Sequence, residues 1–403
     1  MKKYLSILII LMASVLFLTQ CNTGETTEKI AILQDTVALS NHWEFVIPHQ
    51  EIPEGLTSLS AESCGACHQE HYKEWSISTH AHAWTDEQFQ SELKKESSPF
   101  MCINCHIPLQ NQQEYIVTGL INGDIYQPVK EKNPHFDKAL QQEGINCASC
   151  HVRDGAIVGP TGTEKAPHKT VKGKSHLSEQ LCIGCHNAYA TISPTLPCTF
   201  QTGDEWEEGP YFGKKNCISC HMPELERAVV PGYDKRKSRR HYFMGSGIPK
   251  DTSYTAEILN GYEFYPSSIA VNYKVNDSLF FDFRLKNENA GHRVPTGDPE
   301  RFFIFKFQLL DIDGNVVEEK EERIGEHWEW YPLAKKVSDN NVDPLEERTF
   351  NFNHLLYNKG KFKVRVEVTK HRMSDETAEY SKLSKAYPLF ITIYDEQFEF
   401  EVK

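Results

Sequence analysis

Cys64-Gly-Ala-Cys67-His68 is the first of five copies of one short pattern, and the region that they span decides how this chain is organised. The other copies are Cys102-Ile-Asn-Cys105-His106, Cys147-Ala-Ser-Cys150-His151, Cys182-Ile-Gly-Cys185-His186 and Cys217-Ile-Ser-Cys220-His221. Two thiols three positions apart lie on one side of a helical turn, where they can form thioethers with the two vinyl groups of one porphyrin. The adjacent imidazole then reaches the iron as its proximal ligand. The pattern therefore predicts five covalently bound c-type haems.

Other uses of paired cysteines explain the pattern less well. A redox-active Cys-x-x-Cys pair or a zinc site needs no histidine directly after every second cysteine. The five motifs leave only Cys21 and Cys198 of the chain's 12 cysteines. For Cys198 we expect a buried and unreactive thiol, with a redox or iron-binding role as the alternative.

The N-terminus has the features of an export signal. Residues 1–20 combine Lys2 and Lys3 with an apolar run too short to span a membrane, so we predict a signal peptide there. Cys21 resembles the lipidated cysteine of bacterial lipoproteins, and residues 21–50 are predicted to form a lipid-anchored tether. The alternative is an ordinary signal peptide with Cys21 as a bystander. We therefore expect an exported, membrane-anchored lipoprotein that faces the periplasm.

The chain is acidic, with 43 Lys and Arg against 56 Asp and Glu and a formal net charge of −13. Nucleic-acid-binding domains are usually basic, so this charge argues against a nucleic-acid partner. Haem propionates would add more negative charge. We therefore expect redox protein partners that present basic docking patches.

The composition changes near residue 250 and predicts two domains. Residues 51–250 hold every haem motif, and we predict a pentahaem domain of short helices and loops packed around the haems. Residues 255–403 contain no cysteine and several alternating apolar runs, which predict an antiparallel β-sandwich. Strands are expected at 267–275, 278–285, 301–311, 361–369, 388–394 and 398–402, with a hairpin turn at 313–315 and a helix at 374–385. The charge run 316–323 is expected to face solvent, with partner binding as the alternative.

Each iron needs a sixth ligand, and this ligand separates electron carriers from catalysts. A second imidazole saturates the iron, whereas an empty position lets a substrate bind. His80 and His82 fall in residues 75–84, which we predict to be helical, and they would point to opposite faces, so both cannot serve one haem. His71 is expected to be solvated. Further candidate ligands are His135, His168, His176 and His241.

Several stretches between residues 60 and 245 carry a family resemblance. They are Trp75-x-x-Ser78-x-His80-Ala81, Glu143-Gly144-Ile145-Asn146, Ala166-Pro167-His168, Glu205-Trp206 with Pro210-Tyr211-Phe212-Gly213, and the run from Cys217 to Pro223. This segment resembles the multihaem c-type cytochromes of the cytochrome c-554 and hydroxylamine-oxidoreductase superfamily. In that family the histidine of the Trp-x-x-Ser-x-His element binds a neighbouring haem from its far side. The resemblance implies this role for His80, with His82 as its competitor. It also favours His168 and His241 over His135 and His176.

A loop in the second predicted domain supplies one more candidate ligand. Asn289-Ala290-Gly291-His292-Arg293-Val294-Pro295-Thr296-Gly297 lies between two predicted strands, and its Gly and Pro residues can hold one imidazole with little loss of entropy. It resembles the Gly-His-x-x-Pro-Thr-Gly loop of sandwich domains that follow multihaem segments. We expect His292 to be a distal ligand, and Arg293 and Arg301 to pair with propionates. The alternative is a surface histidine in a turn.

These features favour a periplasm-facing electron-transfer protein with a chain of mostly bis-histidine haems. The alternative is a reductase or oxidase of a small nitrogen or sulfur compound at one five-coordinate haem, because only four distal ligands are supported for five irons. The hydroxylamine-oxidising relatives carry more haems and a tyrosine cross-link that we do not identify here, which weakens the enzyme hypothesis. A third hypothesis is that the sandwich recognises a partner and the haem segment serves it.

Overall fold

The computed structural model describes residues 35–40, 44–96, 98–173, 176 and 178–403. The predicted signal peptide and Cys21 lie outside these residues. Among the described residues, no helix is both long enough and apolar enough to cross a membrane. Helices lie mainly in the N-terminal half of the chain, and long antiparallel strands make up most of the C-terminal half.

Short helices carry the cysteine motifs. The helices are α1 Ala61–Gly65, α2 Gln69–Ser76, α3 Glu87–Lys95, α4 Phe100–His106, α5 Lys138–Gln142, α6 Cys147–His151, α7 Gln180–His186, α8 Thr202–Glu208, α9 Cys217–His221 and, in the C-terminal half, α10 Asp375–Tyr380. Four of the five motifs end a helix on their histidine, at α4, α6, α7 and α9. The two thiols and the imidazole of each of these motifs therefore lie on a single helical turn.

The residues around the cysteines determine where two of these helices begin. The Asn146 side chain accepts a hydrogen bond from the Ser149 backbone N–H (3.1 Å), and the Ser149 hydroxyl accepts one from the Asn146 N–H (3.2 Å). Asn216 and Ser219 form the same reciprocal pair at the start of α9. This capping box satisfies two N–H groups at the helix terminus and places the first cysteine in the first turn.

Short strands connect the helices of the N-terminal half. They are β1 Thr36–Val37, β2 Tyr115–Ile121, β3 Pro128–Lys132, β4 Val152–Arg153, β5 Ala156–Gly159, β6 Thr170–Lys172, β7 Ala188–Ser193, β8 Leu196–Phe200, β9 Glu224–Ala228 and β10 Lys235–Arg239. The apolar clusters are small, one around Leu109 and Leu140 and another around Phe100 and Leu120. The predicted packing around haems would require no larger apolar core in this half.

Part of the predicted tether is packed against this half of the chain. β1 pairs with β2, so that Thr36 lies opposite Ile121. The Ile47 N–H donates to the Pro108 carbonyl (2.8 Å), and Gln50 is buried. The prediction of a tether over 21–50 is therefore wrong for these residues, because their backbone groups find partners in the sheet and in the loop after α4.

Two sheets packed face to face form most of the C-terminal half. The strands are β11 Glu263–Pro266, β12 Asn272–Tyr273, β13 Ser278–Lys286, β14 Phe302–Asp311, β15 Val316–Gly325, β16 His327–Glu329, β17 Lys335–Ser338, β18 Glu347–Leu355, β19 Gly360–His371 and β20 Phe390–Val402. One sheet has the order β11-β13-β18 and the other β12-β20-β19-β14-β15, with all neighbours antiparallel except β12 and β20. β16 and β17 form a separate hairpin.

Side chains from both sheets meet in one apolar core. Along β13 and β14, every second residue is buried, including Phe281, Phe283, Phe305 and Phe307. This is the period of a strand with one face against a core. Burying each such side chain stabilises the fold by about 1.5–3 kcal/mol. β15 is an edge strand of the five-stranded sheet and holds the charge run 316–323, which is largely exposed as expected. Charges on an edge strand discourage pairing with another chain.

Two predicted helices are shorter than expected. The helix predicted over 75–84 is wrong beyond Ser76, where α2 ends. The Ser76 hydroxyl donates to the Lys73 carbonyl (2.9 Å), and the Ser and Thr residues that follow favour turns over helix. The helix predicted over 374–385 is reduced to α10, because Lys382 adopts a left-handed backbone conformation with a φ of 55°.

The predicted strands differ from the structure at three places. The strand predicted over 267–275 is wrong except at β12, since Pro266 ends β11 and lacks the N–H that would continue the ladder. The strands predicted at 388–394 and 398–402 are one strand, β20, in which Asp395 and Glu396 are both exposed. β18 was not predicted, because only Phe350 and Phe352 are buried along it. The hairpin turn at 313–315 is confirmed between β14 and β15.

Candidate haem-binding site

Hydrogen bonds to the backbone orient the motif histidines. Nδ1 bonds a carbonyl oxygen in four of them: His68 with Val229 (3.2 Å), His106 with Ala83 (2.7 Å), His151 with Val158 (2.9 Å) and His221 with Met244. A carbonyl can only accept, so Nδ1 carries the proton and Nε2 keeps its lone pair. Nε2 is therefore the nitrogen available to bind a metal.

Four of the motif imidazoles face a second imidazole at nearly the same separation. The ring centres are 6.5 Å apart for His68 and His168, 6.3 Å for His186 and His80, 6.2 Å for His151 and His241, and 6.2 Å for His221 and His292. Two imidazoles on opposite sides of one metal ion have ring centres about 6 Å apart, since each metal–nitrogen bond is about 2 Å and each nitrogen lies about 1 Å from its ring centre. Each pair therefore has the spacing that an axially ligated iron requires.

Burial keeps five of the histidines near the motifs in the neutral form. It lowers the pKa of His80 to about 3, and the pKa values of His106, His186, His241 and His292 to about 4. A metal binds the neutral imidazole, because the proton of the charged form occupies the lone pair. These rings can therefore act as ligands across the physiological pH range.

The structure separates the competing histidines. His82 uses Nε2 in a hydrogen bond with the Ser76 carbonyl (3.1 Å), and its ring stacks on Tyr254 with centres 4.6 Å apart. His176 lies 4.5 Å from His151, which is too close for a metal ion between the two rings. His80 and His168 are the members of these pairs that lie opposite a motif histidine at the longer distance.

Two other histidines occupy less suitable positions. The prediction that His71 is solvated is wrong: burial lowers its pKa to about 2, because β10 packs over α2 and the Ser238 hydroxyl lies 3.0 Å from Nε2. The ring of His135 lies 4.4 Å from that of His49. The ring centre of His71 lies 6.0 Å from that of the motif histidine His68, but its Nε2 is engaged by the Ser238 hydroxyl and is not free to bind a metal. The ring beside His135 belongs to His49, which is not a motif histidine.

A buried carboxylate supports His241. Glu74 is 2% exposed and accepts hydrogen bonds from both terminal nitrogens of Arg227 (2.6 and 2.9 Å), from Arg240 (2.7 Å) and from the backbone N–H of His241 (2.8 Å). Burial raises the pKa of Glu74, but the hydrogen bonds from the two arginines outweigh it and hold the pKa below its usual value. Glu74 therefore stays ionised and fixes the backbone that carries His241. The sequence around Glu74, which directly precedes Trp75, did not predict this role.

The loop that carries His292 is held by the N-terminal half. The Glu205 carboxylate accepts a hydrogen bond from the Thr296 hydroxyl (2.7 Å). A Cβ atom on Gly209 would lie 2.3 Å from the Gly291 carbonyl oxygen, so only glycine permits this approach. Residues from α8 and the turn after it therefore position the imidazole of a loop from the sandwich.

The two arginines expected near propionates have different partners. Arg293 forms ion pairs with Asp339 (3.1 Å) and Asp343 (3.0 Å), so it already has carboxylate partners within the protein. Arg301 donates to the Thr296 carbonyl (3.1 Å) and forms no ion pair with any carboxylate in the described part of the chain. Of the two, only Arg301 remains available to an outside anion.

His106 has a different kind of neighbour. Among the described residues, no second imidazole lies opposite it. The ring of Phe89 stacks on it instead, with ring centres 3.5 Å apart and planes 2° apart. Phe89 was not singled out from the sequence, although Phe89 and Leu93 form an apolar i, i+4 stripe on α3 that indicated a packed face. The site at His106 therefore offers one nitrogen ligand where the other four offer two.

The thiols of different motifs lie close together. The thiols of Cys64 and Cys147, of Cys105 and Cys185, and of Cys182 and Cys217 lie close enough to shift each other's pKa. They place the first motif beside the third, the second beside the fourth and the fourth beside the fifth. Electrostatic interaction between Cys150 and Cys185 also places the third motif near the fourth. The five attachment sites therefore form one connected group.

Cys198 lies in β8 near the second motif and is partly buried. Burial raises the pKa of its thiol to about 12. The thiolate is the reactive form, so this environment agrees with the expected unreactive thiol.

The chain is similar to multihaem cytochromes in sequence and in fold. A family model described as cytochrome c554 and c-prime matches residues 63–152. The fold is similar to that of a penta-heme cytochrome c552 from Thermochromatium tepidum, with a TM-score of 0.59, 18% identity, and coverage of 86% of this chain and 100% of that one. No curated protein matches the sequence.

Two further structures match smaller parts of the chain. A β-glucosidase from Listeria innocua covers 38% of this chain and 18% of its own at 15% identity. A CARDB domain from Pyrococcus furiosus covers 36% of this chain and 90% of its own at 13% identity. Both have a TM-score of 0.20, which is too low to support a conclusion.

Proposed function

We propose that this chain is a pentahaem c-type cytochrome that transfers electrons. The observation that carries the proposal is the set of four imidazole pairs, each containing one motif histidine, with ring centres 6.2–6.5 Å apart. Thioether bonds at Cys64 and Cys67, and at the matching thiols of the other four motifs, would hold the haems. When bound, a c-type haem supplies an iron that gains and loses one electron.

The chain's own histidines then determine how many imidazole ligands each iron would have. We assign His168, His80, His241 and His292 as distal ligands opposite His68, His186, His151 and His221. Two imidazoles saturate an iron and suit it to electron transfer. Four of the five sites are therefore built for carrying electrons.

The thiol contacts support an order for the sites. The first motif neighbours the third, the third neighbours the fourth, and the fourth neighbours both the second and the fifth. The group thus has three ends, at His68, His106 and His221. The end at His221 is the one that the sandwich covers through His292. We infer that electrons enter and leave at different ends of this branched group.

A second function is favoured by the site at His106. No second imidazole lies opposite this ring among the described residues, and an open iron position would let a small molecule bind. A reductase or oxidase of a small nitrogen or sulfur compound is therefore the second candidate.

Reaction of the reduced protein with small molecules separates the carrier from a reductase, and reaction of the oxidised protein with hydroxylamine or sulfite separates it from an oxidase, whose haems would become reduced. We expect anaerobic protein, reduced at all five haems, to stay reduced when nitrite, hydroxylamine or sulfite is added, apart from ligand binding at the His106 haem. An oxidising redox protein should reoxidise all five haems. Stopped-flow absorbance measures both reactions. Rapid and complete reoxidation by one of the three compounds would establish a reductase in place of the carrier, and rapid reduction of the oxidised haems by hydroxylamine or sulfite would establish an oxidase.

We also propose that the protein is exported and held at a membrane by a lipid on Cys21, facing the periplasm. The support is the sequence of residues 1–21 and the attachment of c-type haem outside the cytoplasm. The net charge of −13 supports redox partners with basic docking patches and argues against nucleic acid.

Cys21→Ser is expected to move the protein from the membrane fraction to the soluble fraction, since the lipid-bearing thiol is lost. Fractionation followed by haem staining measures the distribution. Cys198→Ser is the matched control and should stay with the membranes. A correctly processed Cys21→Ser protein that remains in the membrane fraction would place the anchor elsewhere.

A further inference from the structure

A group of cations lies between the N-terminal half and the sandwich. This cationic cluster consists of Lys250, Arg301, Lys370 and Arg372. Lys370 is 7% exposed and Arg372 is 6% exposed. Burial lowers the pKa of Lys370 to about 7 and that of Lys250 to about 8. A buried cation without an anion is costly, so a cluster of four requires negative partners.

Asp86 is the carboxylate at the centre of the cationic cluster. One of its oxygens lies 2.6 Å from the Lys250 Nζ, and the other lies 3.8 Å from the Arg372 Nη1. The second oxygen also accepts a hydrogen bond from the Tyr387 hydroxyl (2.7 Å). Asp86 is 4% exposed, so its single negative charge is already used by these partners.

The other acidic side chains nearby do not balance the remaining charge. Asp298 interacts with Arg301 only beyond ion-pair distance. Burial raises the pKa of Glu300 to about 8, so this side chain is largely neutral at pH 7. Lys370 forms no ion pair in the described part of the chain; its Nζ donates to the Ser246 carbonyl (3.2 Å). Lys370, with a pKa of about 7, is only partly charged at pH 7, so Lys250, Arg301, Arg372 and part of the charge of Lys370 face the two carboxylates of Asp86 and Asp298.

The donors of Arg301 point to the chemistry of the missing partner. A guanidinium has five N–H groups arranged to bind a carboxylate with two parallel hydrogen bonds. Arg301 donates one hydrogen bond to the Thr296 carbonyl. Lys250 interacts electrostatically with His106, and Arg301 with His186. The cationic cluster therefore lies beside two of the haem attachment sites.

We propose that the cationic cluster binds carboxylates of the propionates on the haems attached at His106 and His186. This inference rests on the haem attachment proposed above. The cluster is shared between the two halves. Lys250 precedes the sandwich, whereas Arg301 directly precedes β14, Lys370 lies on β19 and Arg372 directly follows β19. The propionates supply the missing negative charge, and the cations raise the reduction potentials of these two haems.

Two substitutions test the proposal by potentiometry of the fully loaded protein. Arg301→Gln should lower the midpoint potential of one low-spin haem, because a neighbouring cation favours the added electron. Lys250→Met should lower that of the high-spin haem at His106. We expect at least a tenfold loss in the equilibrium constant for reduction, which is about 59 mV for one electron. Arg301→Lys should restore most of the potential because it keeps the charge.

Arg323→Gln is the matched control, since Arg323 is a partly buried cation of the sandwich that forms no ion pair in the described residues. It should leave all five potentials unchanged. Intact mass first shows that five haems are attached; fewer haems in the wild type would count against the proposed function. Five attached haems with unchanged potentials in both test variants would overturn the propionate inference. So would wild-type potentials that shift with added phosphate, since the cluster would then bind a free oxyanion.

Discussion

His292→Ala is expected to convert one of the five haems to a high-spin form that binds cyanide, while the ligands of the other four stay as they are. The reason is that His292 is the only imidazole facing His221 at the axial distance among the described residues. Removing it leaves that iron with one nitrogen ligand. Optical absorption and electron paramagnetic resonance of the oxidised protein measure the change, and cyanide titration counts the open sites.

His327→Ala is the control for this experiment. His327 is an exposed histidine on the same half of the chain, and it faces no motif imidazole. Its replacement should leave the spectrum unchanged. A His292→Ala spectrum that equals the wild type, with five haems attached, would show that His292 is not a ligand and that the sandwich does not cap a haem.

Glu74→Ala is expected to lower the free energy of unfolding by about 3–5 kcal/mol, because it leaves Arg227 buried without its carboxylate. It also removes the acceptor for the His241 N–H, so the haem at His151 should become partly high-spin. The folded pKa of Glu74 is lowered, so its stabilisation is present above the unfolded pKa of about 4.3 and disappears as the pH falls through the lower folded pKa. Denaturant unfolding at pH 7 measures the loss.

Glu70→Ala is the matched control for Glu74→Ala. Glu70 lies on the same helix and pairs with Lys73 at 2.8 Å, but both side chains are exposed. Exposed pairs contribute about 0–1 kcal/mol, so this variant should unfold close to the wild type. Equal unfolding of the two variants would mean that the buried ion cluster at Glu74 adds no stability.

The sequence predicts those parts of the protein that follow a local period. The five motifs specify their own helical turns, and the alternation along β13 and β14 specifies a strand with one buried face. The histidines predicted as distal ligands were singled out from short local patterns, such as Trp75-x-x-Ser78-x-His80 and Ala166-Pro167-His168. In the structure each of the four has its ring centre 6.2–6.5 Å from that of a motif histidine, and their role as iron ligands stays a prediction.

What the sequence did not reveal depends on contacts between distant segments. Glu74 forms ion pairs with Arg227 and Arg240. Asp86 forms ion pairs with Lys250 and Arg372. These partners are more than 150 residues apart in the sequence, so no local sequence pattern predicts them. The order of the attachment sites likewise follows from thiols in different motifs. These groups interact only once the chain has folded, so their pairing could not be read from spacing.

The most direct test of the central claim is a ligand count on the wild-type protein. Intact mass after export gives the number of haems, and electron paramagnetic resonance of the oxidised protein gives the number of low-spin and high-spin irons. We expect five haems, four low-spin with two imidazole ligands and one high-spin at His106. Fewer than five haems, or two or more high-spin irons in the fully loaded protein, would contradict the four imidazole pairs on which the account depends.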